Sequence, residues 1–376
     1  MPVYLKIGIA VAVALVLSYA TTPAVKWLAY KIGAIDVPKD SRRIHKSPIP
    51  RLGGLAIFIG FLLSVILFVD ITVQIRGILI GAVIIVIVGV IDDIVSLRAI
   101  IKLVFQIIAA LVAVFHGVVV DVFSNPIFFS SSEYVPLGIL AIPITVIWIV
   151  AITNSVNLID GLDGLAVGVS TISSVVMLVI ALLVSDQNDA VLLAALAGAC
   201  IGFMPYNFNP AKIFMGDSGA LLLGYVLATV SILGLFKFYA VVSFAVPFLV
   251  LALPLFDTSF AFLRRLIKGQ NPMKPDRGHF HHRLLDMGLS QKQVVVILYA
   301  ISGFLGLVAV VIATSDELRA LILLIAVLVA AVMAYFVFRG FRKNIASSNT
   351  GKESQNLEEN GTDDVSEPLS PENKDE

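Results

Sequence analysis

Five short segments of this chain gather residue types that handle phosphate, metal ions and protons. Asp92 and Asp93 close the apolar run Ile84 to Ile91 and open a segment reading DDIVSLRAIIK. Successive helical positions point about 100° apart, so one carboxylate can face a cavity while the other pairs with a cation such as Arg98 or Lys102. Like charges held together raise one pKa, which suits proton handling or metal binding. A solvated helix end that merely stops an apolar run explains the pair equally well in isolation.

The segment Asn157-Leu158-Ile159-Asp160-Gly161-Leu162-Asp163-Gly164 is more specific. Its polar groups fall at i, i+3 and i+6, so they share a face if the segment is helical. Glycine after each aspartate lets backbone or ligand approach closely. A capped interhelical turn is the structural alternative, but two aspartates and an asparagine beside apolar runs favour chemistry. The stretch from Asn207 to Gly219, NFNPAKIFMGDSG, precedes another long apolar run. There Asp217 either caps a helix or holds a divalent cation beside a helix N-terminus that also favours phosphate oxygens. Hard oxygen donors point to magnesium rather than zinc.

Two basic loops complete the set. Arg264 to Lys292 holds seven Lys or Arg and the cluster Pro275-Asp276-Arg277-Gly278-His279-Phe280-His281-His282-Arg283. Three histidines within four residues, unaccompanied by cysteine, resemble a metal site only weakly. So many cations near acidic groups fit diphosphate binding better. Lys31 to Arg51 carries Asp36, Lys39, Arg42, Arg43, His45 and Lys46, followed by Pro48, Pro50, Gly53 and Gly54, which give a fixed non-helical path. Anchoring to anionic headgroups accounts for much of that charge.

The elements that position these segments are membrane helices. Apolar residues make up 59% of the 376 and charged residues 14%, with a mean hydropathy of +0.98, so a bilayer must be the solvent. At roughly 17 to 25 apolar residues per span, the sequence predicts an all-α polytopic bundle of eleven helices: 4–27, 52–69, 77–92, 100–120, 137–156, 165–184, 189–206, 218–236, 239–262, 293–313 and 318–338. The first run is too long for a signal-peptide core, so it is expected to stay as a helix. Alternate connections separate the cations: Lys6, Arg76, Lys237 and Arg319 fall in one set, the other 22 of 26 Lys and Arg in the opposite set and the tail. The positive-inside rule then puts the N-terminus outside and every chemistry-bearing segment on the cytosolic side. Residues 1–340 form the expected membrane domain. From Asn344 to Glu376 nine acidic residues face two lysines and large apolar residues are nearly absent, so residues 341–376 are expected to be a disordered acidic cytosolic tail. Asn360-Gly361-Thr362 matches a glycosylation sequon by chance in such a tail. The single cysteine, Cys200, excludes an internal disulfide and a thiolate zinc site.

Taken in order, NLIDGLDGLA, IFMGDSGA and PDRGHFHHRL, with DD after the third span, resemble the polyprenyl-phosphate N-acetylhexosamine-1-phosphate transferase family over essentially residues 1 to 340. One branch contains phospho-N-acetylmuramoyl-pentapeptide transferase of peptidoglycan synthesis. The other transfers GlcNAc phosphate to start teichoic acids, common antigens or O-antigens. IPRLGG stands where the first branch has TPTMGG, and PDRGHFHHRL where it has three consecutive histidines, so the resemblance favours the GlcNAc branch. It implies UDP-GlcNAc and undecaprenyl phosphate as substrates, UMP as product, and magnesium, or manganese in its place, as cofactor. It places the enzyme in the bacterial inner or plasma membrane with a cytosolic active site, with no nucleic-acid partner, and admits a homodimer. Residue by residue, it implies that Asp217 coordinates the metal, that Asp92 and Asp93 handle the lipid phosphate, and that Asn157, Asp160 and Asp163 line the nucleotide-sugar site. Asn207, Lys46, Lys102 and the loop bearing Asp276, Arg277, His279, His281 and His282 complete the phosphate and sugar contacts. A transporter is the competing class, but its ionisable residues belong near the bilayer midplane, and here the span centres lack them. A purely structural scaffold gives no reason for carboxylates at four cytosolic positions.

Overall fold

The computed structural model describes residues 1–37, 48–120, 122–124, 134–184, 187–234, 240–267, 280–315, 323–325 and 327. Lys46, Asp276, Arg277 and His279 lie outside the described residues, as do the tail at 341–376 and nearly all of the expected span 318–338. The helices described here lie within one compact unit, Met1–Leu321.

That unit is built of helices: α1 (Val3–Ile32), α2 (Gly54–Phe68), α3 (Val73–Val95), α4 (Ala99–Phe115), α5 (Ala141–Ile159), α6 (Leu165–Val184), α7 (Gln187–Asn207), α8 (Gly216–Gly234), α9 (Ala240–Val250), α10 (Ala252–Ile267), α11 (Phe280–Asp286) and α12 (Gln291–Ala313). Two small antiparallel pairs, Ile35–Asp36 with Ile49–Pro50 and Val122–Ser124 with Tyr134–Pro136, are the only sheets among the described residues. Seven helices among the described residues are long and apolar enough to cross a membrane, and α2 and α4 are shorter apolar helices. The chain is therefore an all-α polytopic membrane bundle.

At its centre stands α8, packed by α3, α5, α2 and α6 and buried along almost its whole length. Where lipid cannot reach, polar side chains must find protein partners. Thr229 Oγ1 accordingly donates to Tyr225 O (2.9 Å), Trp148 Nε1 to Ser231 Oγ (3.0 Å) and Tyr225 Oη to Ala109 O (3.3 Å). Outside this core α1 packs on α7 and α2. At about 1.5 Å per residue, its 30 residues exceed a hydrocarbon core of about 30 Å. It ends at Gly33, whose left-handed backbone (φ +77°) returns an N–H to Ala29 O.

The expected single helix over 239–262 is instead two, α9 and α10, separated at Leu251. Pro254 is the cause: it has no N–H for the carbonyl of Val250, and its ring clashes with that carbonyl. On α10 Phe256, Phe260, Leu263 and Ile267 are exposed, while Asp257 and Arg265 are buried against the protein.

Candidate active site

The Asp92-Asp93 pair ends α3, and its two carboxylates do different work. Asp93, 2% exposed, accepts hydrogen bonds from Asp217 N (2.9 Å, Oδ1) and Ser218 N (3.1 Å, Oδ2). It thus acts as an N-cap supplied from another helix, satisfying the first free N–H groups of α8 and placing negative charge at the positive end of that helix. Gly216 makes the approach possible. It adopts φ +72°, and a Cβ there would sit 2.5 Å from Asp93 Oδ2 and 2.6 Å from Arg51 O, so only glycine combines that backbone with that space. Arg51 closes the other end of the arrangement, donating from Nε to Asp93 O (3.0 Å) and from Nη2 to Asp92 O (3.4 Å) and Ser96 Oγ (3.2 Å). A guanidinium on the last carbonyls of a helix is the favourable polarity.

Asp92 turns the other way. Its Oδ1 accepts from Leu97 N (2.5 Å) and its Oδ2 from Lys102 Nζ (3.1 Å). The same ammonium donates to Asp217 Oδ2 (2.7 Å), and Asn157 Nδ2 donates to Asp217 Oδ1 (3.1 Å). Four helices, α3, α4, α5 and α8, thereby deliver one cluster from residues up to 125 positions apart in sequence. The side chains of Lys102 and Asp217 keep 23% and 27% of their surface, so the cluster opens outward rather than being sealed in the bundle. One turn below Lys102, Gln106 and Asn154 exchange two amide hydrogen bonds (3.3 and 2.6 Å), joining α4 to α5 beneath the cluster.

The DGLDG segment is a turn rather than a continued helix. Because α5 stops at Ile159, Asn157 lies on the helix, Asp160 caps it and Asp163 lies beyond, so the three do not share one helical face. Asp163 Oδ2 accepts from Asn209 Nδ2 and Ala211 N, both 3.0 Å away, and ties this turn to the loop before α8. Asn207, 3% exposed, ties it a second time: Oδ1 accepts from Gly164 N and Nδ2 donates to Ile213 O, both 3.1 Å. From α12, Tyr299 Oη donates to Gly164 O (2.5 Å), and Gln291 Oε1 accepts from Asn209 Nδ2 (2.7 Å). Asp163 and Asn207 therefore brace the turn within the protein.

Asp160 differs from every other carboxylate in the group: it is half-buried, and no described residue donates a hydrogen bond to its side chain. Burial first, then the charges of Asp217, Asp93 and Asp163, push its pKa up to about 8. An acid raised above its unfolded value binds its proton more tightly when folded, so the stability it contributes is full below about pH 4 and is lost as pH rises through about 8. In chelator, the wild-type thermal midpoint is thus expected to fall between pH 6 and 8.5 more than that of Asp160→Asn. Parallel melting curves for the two proteins would remove this assignment.

Histidines approach from α11. His281, 2% exposed, lies with Nδ1 3.9 Å from Asp257 Oδ2, and Asp257 Oδ1 accepts from Phe280 N (2.6 Å). On its other side the ring reaches the DGLDG turn: a methyl on Gly161 would stand 2.7 Å from His281 Nε2. His282 stacks at 4.4 Å from His281, and Arg283 lies 4.9 Å over the Phe260 ring.

Of the residues singled out by sequence, the structure brings Asp92, Asp93, Lys102, Asn157 and Asp217 into direct contact. It sets Asp160 in their field and His281 against the same turn. Asp163 and Asn207 form the supporting layer behind. Arg51, Gln106, Asn154, Asn209, Asp257 and Tyr299 have no role that the sequence assigns. Gln106 and Asp257 did carry a signal, one being a polar residue four beyond Lys102 on an apolar helix, the other a charge three beyond Pro254.

The donors here fit a hard divalent cation. Carboxylate oxygens of Asp217 and Asp92 converge on Lys102 with no thiolate nearby, which suits magnesium and not a soft metal. Among the described residues no three His, Cys, Asp or Glu side chains already form a cage.

A bundle of apolar helices whose ends gather carboxylates, a lysine and an asparagine into one outward-opening cluster has the make-up of a multi-pass membrane enzyme. The chain belongs to glycosyl transferase family 4, whose pattern matches residues 75–235, and it is a phosphoglycosyl transferase. It is 42% identical over 312 residues to a Bacillus subtilis (strain 168) protein named probable undecaprenyl-phosphate N-acetylglucosaminyl 1-phosphate transferase, covering 82% of this chain and 85% of that one. The decaprenyl-phosphate N-acetylglucosaminephosphotransferase of Mycobacterium tuberculosis (strain CDC 1551 / Oshkosh) is 36% identical over 326 residues, 76% of this chain and 77% of its own. Phospho-N-acetylmuramoyl-pentapeptide-transferase of Clostridium beijerinckii stands further off, 29% identical over 291 residues, 73% of this chain and 86% of its own.

Proposed function

We propose that the protein transfers GlcNAc 1-phosphate from UDP-GlcNAc to undecaprenyl phosphate at the cytosolic face of the bacterial plasma membrane, with magnesium as cofactor. The observation that carries this reading is the single ammonium of Lys102 held between Asp92 and Asp217 with Asn157 closing the far side. A lysine held by two carboxylates is pre-placed for phosphate oxygens, and the carboxylates beside it are pre-placed for a cation, the two needs of phosphoryl transfer. The GlcNAc-transferring relatives lie nearer to this chain than the muramoyl-pentapeptide one, and this supports the choice of sugar.

The donor is water-soluble and the acceptor's isoprenoid chain stays in lipid, so the reacting atoms must meet where helices end. Asp217 would hold magnesium, which when bound neutralises the diphosphate and withdraws charge toward the leaving UMP. Asn157 orients Asp217, Asp93 and Gly216 fix the start of α8, and Lys102 moves from the carboxylates onto phosphate oxygens. An oxygen of the carrier phosphate attacks the sugar-bearing phosphorus, the bond to the UMP oxygen breaks, and UMP leaves. Where the carrier enters as a monoanion, its proton goes to Asp92.

The test is an organic-extraction assay with labelled nucleotide sugar, purified protein and undecaprenyl phosphate. UDP-GlcNAc should give extractable product and stoichiometric UMP only with magnesium. UDP-MurNAc-pentapeptide should give neither; use of that donor alone would reverse the assignment of substrate.

A further inference from the structure

Asp257 is a carboxylate that the reaction as described does not use, and its setting is unusual for a filler of space. It occupies the second turn of α10 and is 9% exposed, while its helical neighbours Phe256 and Phe260 are exposed. A buried carboxylate is costly unless donors meet it. One donor is Phe280 N at 2.6 Å, the backbone N–H that immediately precedes His281. That hydrogen bond fixes the carboxylate relative to the histidine's own backbone, and the second oxygen stands 3.9 Å from His281 Nδ1. The opposite edge of the same ring, Nε2, meets the Gly161 position of the turn that carries Asp160. His281 is thus clasped between α10 on one side and the candidate active-site turn on the other, with His282 stacked beside it.

We propose that Asp257 is a positioning residue for the transfer reaction, holding an N–H on the Nδ1 edge of His281 so that Nε2 is presented to the Asp160–Gly164 turn. This rests on the transferase reading above. The two ring nitrogens are distinct, and an anion facing one edge favours the proton on that edge. At 3.9 Å the anion acts through its field rather than through a formed hydrogen bond, so the choice depends on its charge. The Phe280 N–H keeps the anion in place. The nitrogen left facing the turn is then available to a phosphate or sugar hydroxyl brought against Asp160.

Asp257→Asn separates charge from architecture, because its amide oxygen can still accept from Phe280 N. It is expected to lower kcat about 10- to 100-fold, the scale on which removing the hydrogen-bond partner of a metal-ligating histidine acts, while KM for undecaprenyl phosphate stays within about twofold. Asp257→Glu, which keeps the charge, should recover part of the loss. The independent readout is the 15N spectrum of histidine-labelled full-length protein, with the His281 signal assigned by its disappearance in His281→Gln. Wild type should show a protonated Nδ1 and Asp257→Asn a shift toward the other nitrogen. Unchanged kcat in Asp257→Asn, or an identical His281 signal in both proteins, would overturn the proposal. A wild-type protein inactive on UDP-GlcNAc but showing the expected spectral shift would sink the substrate reading and leave the Asp257–His281 relationship standing.

Discussion

Asp217→Asn is expected to reduce magnesium-dependent UMP release by at least about 10²- to 10³-fold, the scale on which a preorganised electrostatic contact to developing charge acts. The substitution is close in shape. An asparagine oxygen can still accept from Asn157 Nδ2 (3.1 Å in the wild type), and the backbone N–H of residue 217 still reaches Asp93 Oδ1 at 2.9 Å. The start of α8 therefore stays capped and the bundle should remain folded, with an unchanged elution profile and melting midpoint. What disappears is one negative charge and the 2.7 Å contact to Lys102 Nζ, leaving that ammonium to Asp92. Raising magnesium should not restore the rate. Turnover close to wild type at any magnesium concentration would take the metal away from Asp217 and leave its pairing with Lys102 as a structural bond.

What could be read from sequence and what could not divide along a physical line. Long apolar runs are legible because hydrocarbon is an exacting solvent, and ten of the expected helices have counterparts among the described residues. The exception in form, the broken 239–262 segment, follows from Pro254, whose effect on Val250 is a local rule that hydropathy alone overrides. At the site, the residue types were legible and their division of labour was not. Asp92 and Asp93 are adjacent and chemically identical, yet one pairs with Lys102 while the other caps α8. That difference is set by a helix 124 residues further along the chain. Asp160 and Asp163 show the same limit. Their spacing suggests equal roles, but Asp163 meets two donors from the loop before α8 while Asp160 meets none among the described residues. Arg51 escaped notice because a basic residue flanking a membrane span already has an explanation in the positive-inside rule, and only the fold shows its guanidinium on the carbonyls of Asp92 and Asp93.

Gly54→Ala is expected to damage both fold and activity, although Gly54 touches no candidate site residue through a side chain. The first turn of α2 lies backbone to backbone against the first turn of α8, and a methyl at Gly54 would overlap the N and Cα of Gly219 and stand 2.5 Å from the Ser218 carbonyl carbon. Backbone cannot rotate away as a side chain does, so the two helices must part. Overpacking of this kind costs about 1–3 kcal/mol and more where nothing yields. The loss does not stop at stability, because Gly53 N and Gly54 N donate to Phe214 O (3.0 Å) and Met215 O (2.7 Å), the strap that leads straight into Asp217. Displacing that strap by about 1 Å would shift Asp217 from Asn157 and Lys102, and misplacement on that scale is worth about 10²-fold in rate. Gly8→Ala supplies the contrast, since a methyl there meets nothing within 4 Å and alanine is the better helix former by about 0.5–1 kcal/mol. Melting midpoints and UMP release for the two variants should diverge: a large fall in both for Gly54→Ala, no loss in either for Gly8→Ala. If Gly54→Ala melted lower yet turned over normally, the seam between α2 and α8 would be a packing feature with no hold on Asp217.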